Sequence, residues 1–132
     1  MATLTADQRR DEARQAYNVF MAECPSRQVL SVLSDKWVSM VICTLADGPR
    51  RYSQLRTAIA GVSQKMLTQT LRTLEREGLV SRTITAAVPV RVDYELTPLG
   101  HTLLPVIMAI KHWAEHHIEA VTAARAAYDS RA

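Results

Sequence analysis

Leucines at 67, 71 and 74 recur with the spacing of one helical face, while Lys65, Thr68, Gln69, Arg72 and Arg76 fall on the opposite side of the same turns. The pattern predicts an amphipathic helix over 63–76, capped by Ser63, with the leucines buried and an outer face of donors and cations without a carboxylate. Glu75 and Glu77 lie at the edges of that face and toward its end. Upstream, 52–60 predicts a shorter helix with Leu55 and Ile59 inward, joined to the next by Gly61-Val62. Downstream, Gly78 is a stop signal, 79–84 reads as a strand, 85–89 as a turn-like tip, and 90–96 alternates apolar and polar as a returning strand. Helix, tight turn, helix and hairpin, in that order, make a winged helix-turn-helix. The fold class is mainly α with a small β-hairpin (α+β).

The flanks add helices. Residues 5–22 predict one that opens on a Thr5/Gln8 capping box and carries Ala13, Ala16, Tyr17 and Phe20 along one side. Cys24-Pro25 is expected to end it, and 26–33 to form a short helix capped by Ser26 with Val29, Leu30 and Leu33 inward. Residues 35–46 predict a largely buried helix, closed by Asp47-Gly48-Pro49. Thr97 as N-cap and Pro98 at the first helical position start the longest helix, 98–127. Pro105 lacks a backbone donor and is expected to bend it.

That last helix carries Leu99, Leu103, Val106, Ile110, Trp113 and His117 on one seam, widened by Ile107, Ala114, Ile118 and Val121. So wide a stripe exceeds what a small core covers and predicts pairing with a second copy of the chain. The expected dimer residues are Tyr17, Phe20, Leu103, Ile107, Ile110, Trp113 and His117, with helix 5–22 crossing helix 98–127. The simpler alternative is a long helix that packs back on its own domain. Residues 1–132 are read as a single domain whose segments 5–22 and 98–127 are dimerisation extensions.

The chain has 132 residues, 48% of them hydrophobic, enough for one core, and a formal charge of +3 that permits a polyanionic partner without demanding one. The longest uncharged stretch, 96–110, falls short of the ~20 residues of a membrane span. The polar start does not resemble a signal peptide. A cytoplasmic protein with reduced cysteines is expected, and no membrane partner.

Little in the chain suggests catalysis. His112, His116 and His117, with Glu115 and Glu119 nearby, have i, i+4 spacing but no HExxH pattern, and read as polar surface rather than a metal site. Cys24 and Cys43 lack CxxC spacing. Cys43, among Met40, Val41, Ile42 and Leu45, reads as an inert buried thiol. Cys24 stands near the start of helix 26–33, whose dipole lowers a thiol pKa, with Arg27 close by, and is the candidate redox sensor; packing alone is the alternative. There is no Gly-rich phosphate loop, no GxSxG and no supported carboxylate pair, so neither an enzyme nor a cofactor is expected.

Gln, Arg, Lys and Thr are the side chains that read base edges in a major groove. The candidate DNA-binding residues are Ser53, Ser63, Gln64, Lys65, Thr68, Gln69 and Arg72, with Arg91 gripping backbone beside them. A polar outer face is also what any surface helix shows, and a winged helix can bind protein instead. Lys65, Arg72, Arg76, Arg82 and Arg91 are of one sign, which favours double-stranded DNA.

Several segments then carry a resemblance. Cys24-Pro25, Lys36-Trp37, the run from Gly48 through Arg56, the run from Gly61 through Thr68 with Leu71-Arg72 and Leu74-Glu75, Gly78-Leu79-Val80, the run from Pro89 through Tyr94, and Leu96 through Gly100 stand in the order found in the HxlR-type winged helix-turn-helix transcriptional regulators, which the chain resembles over about 24–113. The resemblance implies a cytoplasmic dimeric DNA-binding regulator that pairs through its terminal helices. In some members a thiol near the position of Cys24 senses oxidants or electrophiles. The chain departs from the pattern in Asp35, where many relatives have Gly, and in Ala86-Ala87 at the hairpin tip, which argues against strong minor-groove contact there. The expectation is a homodimeric repressor on an inverted-repeat operator, responsive to a small oxidant or electrophile through Cys24, or else to a small-molecule effector.

Overall fold

A computed structural model describes residues 3–131, with the side chains of 19–23 outside the described ones. It divides into a first unit ending at Lys36 and a second beginning at Trp37.

In the first unit, α1 (Ala6–Glu23) opens on the predicted capping box: the Gln8 N–H donates to Thr5 Oγ1 at 3.1 Å and the Thr5 N–H to Gln8 Oε1 at 2.8 Å. Tyr17 is exposed on it, and the Phe20 side chain lies outside the described residues. Helix α2 (Pro25–Leu33) corrects two expectations. Its N-cap is Cys24 rather than Ser26, because Pro25 serves as the first helical residue, where its missing N–H costs nothing. Val29 and Leu30, expected inward, are exposed.

The second unit holds the core. Helix α3 (Lys36–Thr44) buries Val38, Val41 and Ile42, with Leu45 just beyond it. Cys43 is only half-buried, since it points off that stripe. Strand β1 (Arg50–Arg51) leads into α4 (Tyr52–Ala58), which buries Leu55. Helix α5 (Gln64–Arg76) buries Leu67, Thr70, Leu71 and Leu74. The leucine stripe is the predicted one and meets Val38, Val41, Ile42, Leu45, Leu55, Ile59, Val80, Leu96 and Ile107 in a single core. Ser63 caps α5 by accepting from the Met66 N–H at 3.1 Å.

At its far end α5 closes in a Schellman motif. The Gly78 N–H donates to the Glu75 carbonyl at 3.1 Å and the Leu79 N–H to the Leu74 carbonyl at 3.0 Å, with Gly78 at φ +76°. Strands β2 (Val80–Thr85) and β3 (Arg91–Leu96) then form the hairpin, and β1 pairs with the free edge of β3, giving the antiparallel order β1-β3-β2. The register sets Arg50, Tyr94 and Arg82 in one row across the sheet and Arg51, Asp93 and Thr83 in the next.

Helix α6 (Pro98–Asp129) starts at Thr97, whose Oγ1 accepts from the Gly100 N–H at 3.0 Å and donates to the Gly78 carbonyl at 2.6 Å. At 32 residues it is about 48 Å long. Its seam is not uniform: Ile107 is buried and Leu103 half-buried against the core, whereas Ile110, Trp113 and His117 are exposed. The core extends only as far as the first few turns, so Ile107 belongs to its own unit rather than to an open face.

Candidate nucleic-acid interface

The site is built on the side of α5 that the leucine stripe leaves outward. Gln64, Lys65, Thr68, Gln69 and Arg72 line one open depression there. Four are exposed, while Thr68 is half-buried. No carboxylate lines it, and Lys65 and Arg72 make no ion pair among the described residues, so the depression presents positive potential and amide groups to an incoming chain of phosphates and base edges.

The depression is held in shape from α4. The Tyr52 hydroxyl lies 2.9 Å from the Gln64 carbonyl and 3.2 Å from Thr68 Oγ1, bridging the two helices across the turn. Sequence reasoning missed Tyr52, because its partners are 12 and 16 residues away and no local pattern joins them. The Arg51 N–H donates to Gln54 Oε1 at 2.9 Å, which fixes the start of α4. Ser53, in its first turn, is exposed, and Ser63 has its hydroxyl occupied in capping α5.

The sheet flanks the depression with mixed charge. Tyr94, in the central strand, has its phenol pushed up by burial, an effect that Arg82 opposes and Glu75 reinforces, followed by smaller contributions from Tyr52 and Arg72. Those neighbours mark the face of the sheet turned to α5. Arg82 lies on it, with its Nε 3.7 Å from Glu75 Oε2. By strand alternation Arg91 falls on the other face, two residues before Asp93, and donates from Nε to both Asp93 oxygens at 2.9 and 3.2 Å. The expected row of single-sign charge is thus interrupted, with two of its five cations paired to carboxylates. Lys65 and Arg72 carry the free positive charge at the depression, and Arg50, overlooked in the sequence because its strand is two residues long, joins Arg82 in the row beside it. The tip beyond them is apolar: Ile84, Val88 and Val90 are exposed.

Two further groups were candidates from the sequence. Cys24 is half-buried, and the backbone N–H groups of Arg27 first and Ser26 next hold its thiol below the usual range, against a smaller opposing effect of burial. It is the Arg27 amide that acts. On α6, the rings of Trp113 and His117 stack with centroids 4.7 Å apart, His117 Nδ1 meets the Trp113 carbonyl at 2.8 Å, and the His112 and His116 rings lie 6.2 Å apart. Among the described residues no helix is long and apolar enough to cross a membrane.

A model of the HxlR-like helix-turn-helix family matches residues 32–122. The HTH-type transcriptional regulator YtfH of Escherichia coli strain K12 is 40% identical over 108 residues, covering 82% of this chain and 86% of its own. Among solved structures, one named as a transcriptional regulator, YtfH from Salmonella typhimurium, superposes with a TM-score of 0.70 at 39% identity, covering 79% of this chain and 93% of that one. The redox regulator HypR in its oxidised form superposes with a TM-score of 0.66 at 36% identity, covering 70% and 96%.

Proposed function

The chain belongs to the HxlR-like helix-turn-helix family, and on that premise we propose that this transcriptional regulator binds double-stranded DNA sequence-specifically as a homodimer, on an inverted-repeat operator, and acts there as a cytoplasmic repressor. The observation that carries the reading is the carboxylate-free depression of Gln64, Lys65, Thr68, Gln69 and Arg72 on a single helix. A helix of this diameter fits a major groove, and amides and cations of these types match its donor and acceptor pattern. Arg82 and Arg91, each sharing charge with a neighbouring carboxylate, serve backbone phosphates at the margins.

The second copy is called for by α6. Ile110, Trp113 and Ile118 are each about half exposed or more on a helix whose later turns run beyond the core, a display that water disfavours and an identical helix covers. Two recognition helices related by a twofold axis then meet half-sites about 34 Å apart. The signal enters at Cys24. A thiol with a lowered pKa at a helix N-terminus reacts as thiolate with an oxidant or electrophile, and the likeness to HypR, named a redox regulator, supports that role.

Genomic selection with the purified protein, followed by mobility shift on the recovered sequence and a scrambled duplex, tests the reading. Recovery of a shared inverted repeat bound more tightly than the scrambled duplex is the expected result. Equal binding of both would reject sequence-specific regulation through α5.

A further inference from the structure

The bond from Tyr52 fixes which way the Thr68 hydroxyl can bond. A phenol has one proton, and a carbonyl oxygen has none to give. Tyr52 Oη stands 2.9 Å from the Gln64 carbonyl, so the phenol proton lies in that bond. The 3.2 Å contact between Tyr52 Oη and Thr68 Oγ1 must then be made with the threonine proton. Thr68 has only that one. Both of its lone pairs are left to accept, and the residue lines the depression with Gln64, Lys65, Gln69 and Arg72.

An isolated threonine hydroxyl rotates to suit either a donor or an acceptor and therefore discriminates poorly between base edges. Here the rotation is used up. We infer that Thr68 meets the operator as an acceptor only, and that with Tyr52 behind it the residue selects a base bearing an exocyclic amine, adenine through N6 or cytosine through N4, at one base pair under α5. On the strand Thr68 faces, guanine or thymine would set an acceptor where that amine stands, and two acceptors facing each other without a proton repel. Tyr52 is thus a positioning residue: it touches no base, yet it sets the polarity of one that does. The inference rests on the reading of α5 as the groove-facing helix.

The test uses the selected operator with every single base-pair substitution, measured against the wild type, Thr68→Val and Tyr52→Phe. Thr68→Val is expected to flatten the preference at one base pair and leave the others. The base preferred there by the wild type carries an amine, and replacing it with the same ring lacking that amine, such as purine for adenine, weakens wild-type binding about fivefold, the worth of one neutral hydrogen bond. Tyr52→Phe releases the hydroxyl to turn, so guanine or thymine on the strand whose amine the wild type reads is accepted within about twofold of the original base. Wild-type binding that amine deletion on neither strand of that pair weakens, a profile untouched by Thr68→Val, or an unaltered profile in folded Tyr52→Phe overturns the inference while leaving α5 as the reading helix. The amine-deletion measurement needs only the wild type and decides the matter even if Tyr52→Phe does not fold. A wild type without any base preference overturns the reading of α5 and this inference together.

Discussion

Arg91 and Asp93 are paired along one strand, Nε to Oδ2 at 2.9 Å, on the face of the hairpin turned away from α5. The carboxylate both orients the guanidinium and cancels part of its field. Arg91→Ala is expected to weaken binding to operator and random duplex alike and to flatten the dependence of log affinity on log salt by about one unit. Asp93→Asn acts in the opposite sense, raising non-specific affinity and steepening that slope. Titrations at several salt concentrations measure both, and an unchanged slope in either variant removes the hairpin from the DNA contact.

Gln69 is exposed within the depression and makes no side-chain bond to the protein among the described residues. Gln69→Ala should therefore relax base preference at its pair by roughly 1 kcal/mol or more, with the salt slope and the melting temperature unchanged. Competition between operator variants reads the effect.

Two positions on α6 separate pairing from folding. Ile110→Asp, at an exposed residue, is expected to convert the proposed dimer to a folded monomer in sedimentation. Ile107→Asp, at a buried one, unfolds the protomer itself, because an unpaired charge would enter the core. A folded Ile107→Asp protein, or a dimer unaffected by Ile110→Asp, would count against this division of the seam.

Cys24 should be alkylated along a pH profile displaced to lower pH than that of a cysteine in an unstructured peptide, since the depressed pKa keeps more thiolate as the solution is acidified. Mass spectrometry of Cys24 and Cys43 after brief iodoacetamide treatment follows the two sites separately. Operator binding that responds to peroxide in the wild type and not in Cys24→Ser is the expected result; equal responses would leave Cys24 as a helix cap only.

Close approach, not local strain, makes Gly100 irreplaceable. A Cβ there would run into the Leu79 carbonyl oxygen, and next against the Leu96 side chain at 3.2 Å. Gly100→Ala is expected to cost about 1–3 kcal/mol by urea unfolding. Gly78→Ala, where a Cβ would meet the Leu99 side chain at an ordinary 3.9 Å but the backbone stands at positive φ, should cost only about 1–2 kcal/mol.

Much of this arrangement can be read along the chain. Leu67, Leu71 and Leu74 repeat with the helical period, and the outward side of their helix follows by subtraction. The Thr5/Gln8 box and the Thr97-Pro98 start depend on neighbours within three residues, so local chemistry suffices. What is hidden depends on distance or on limits of the core. Tyr52 and Thr68 are brought together only when α4 and α5 pack. Ile107 and Ile110 look alike on a helical wheel, and the point where the core stops beneath α6 decides which of them water reaches. The Arg91–Asp93 pair was available from strand alternation, which places residues two apart on one face, but a tally of positive charges passes over it. At Cys24, a proline can end one helix or begin another, and the sequence leaves both open.

The Thr97 hydroxyl gives its proton to the Gly78 carbonyl and accepts from the Gly100 amide, while the Leu79 carbonyl takes the Thr97 N–H at 3.0 Å and leaves no room for a methyl at Gly100. The residues that stop α5 are therefore bonded directly to the residue that caps the start of α6. A joint so tightly seated has no slack, and the heading of the long helix and that of the short one are a single mechanical variable: turning either by a few degrees about Thr97 must swing the other with it.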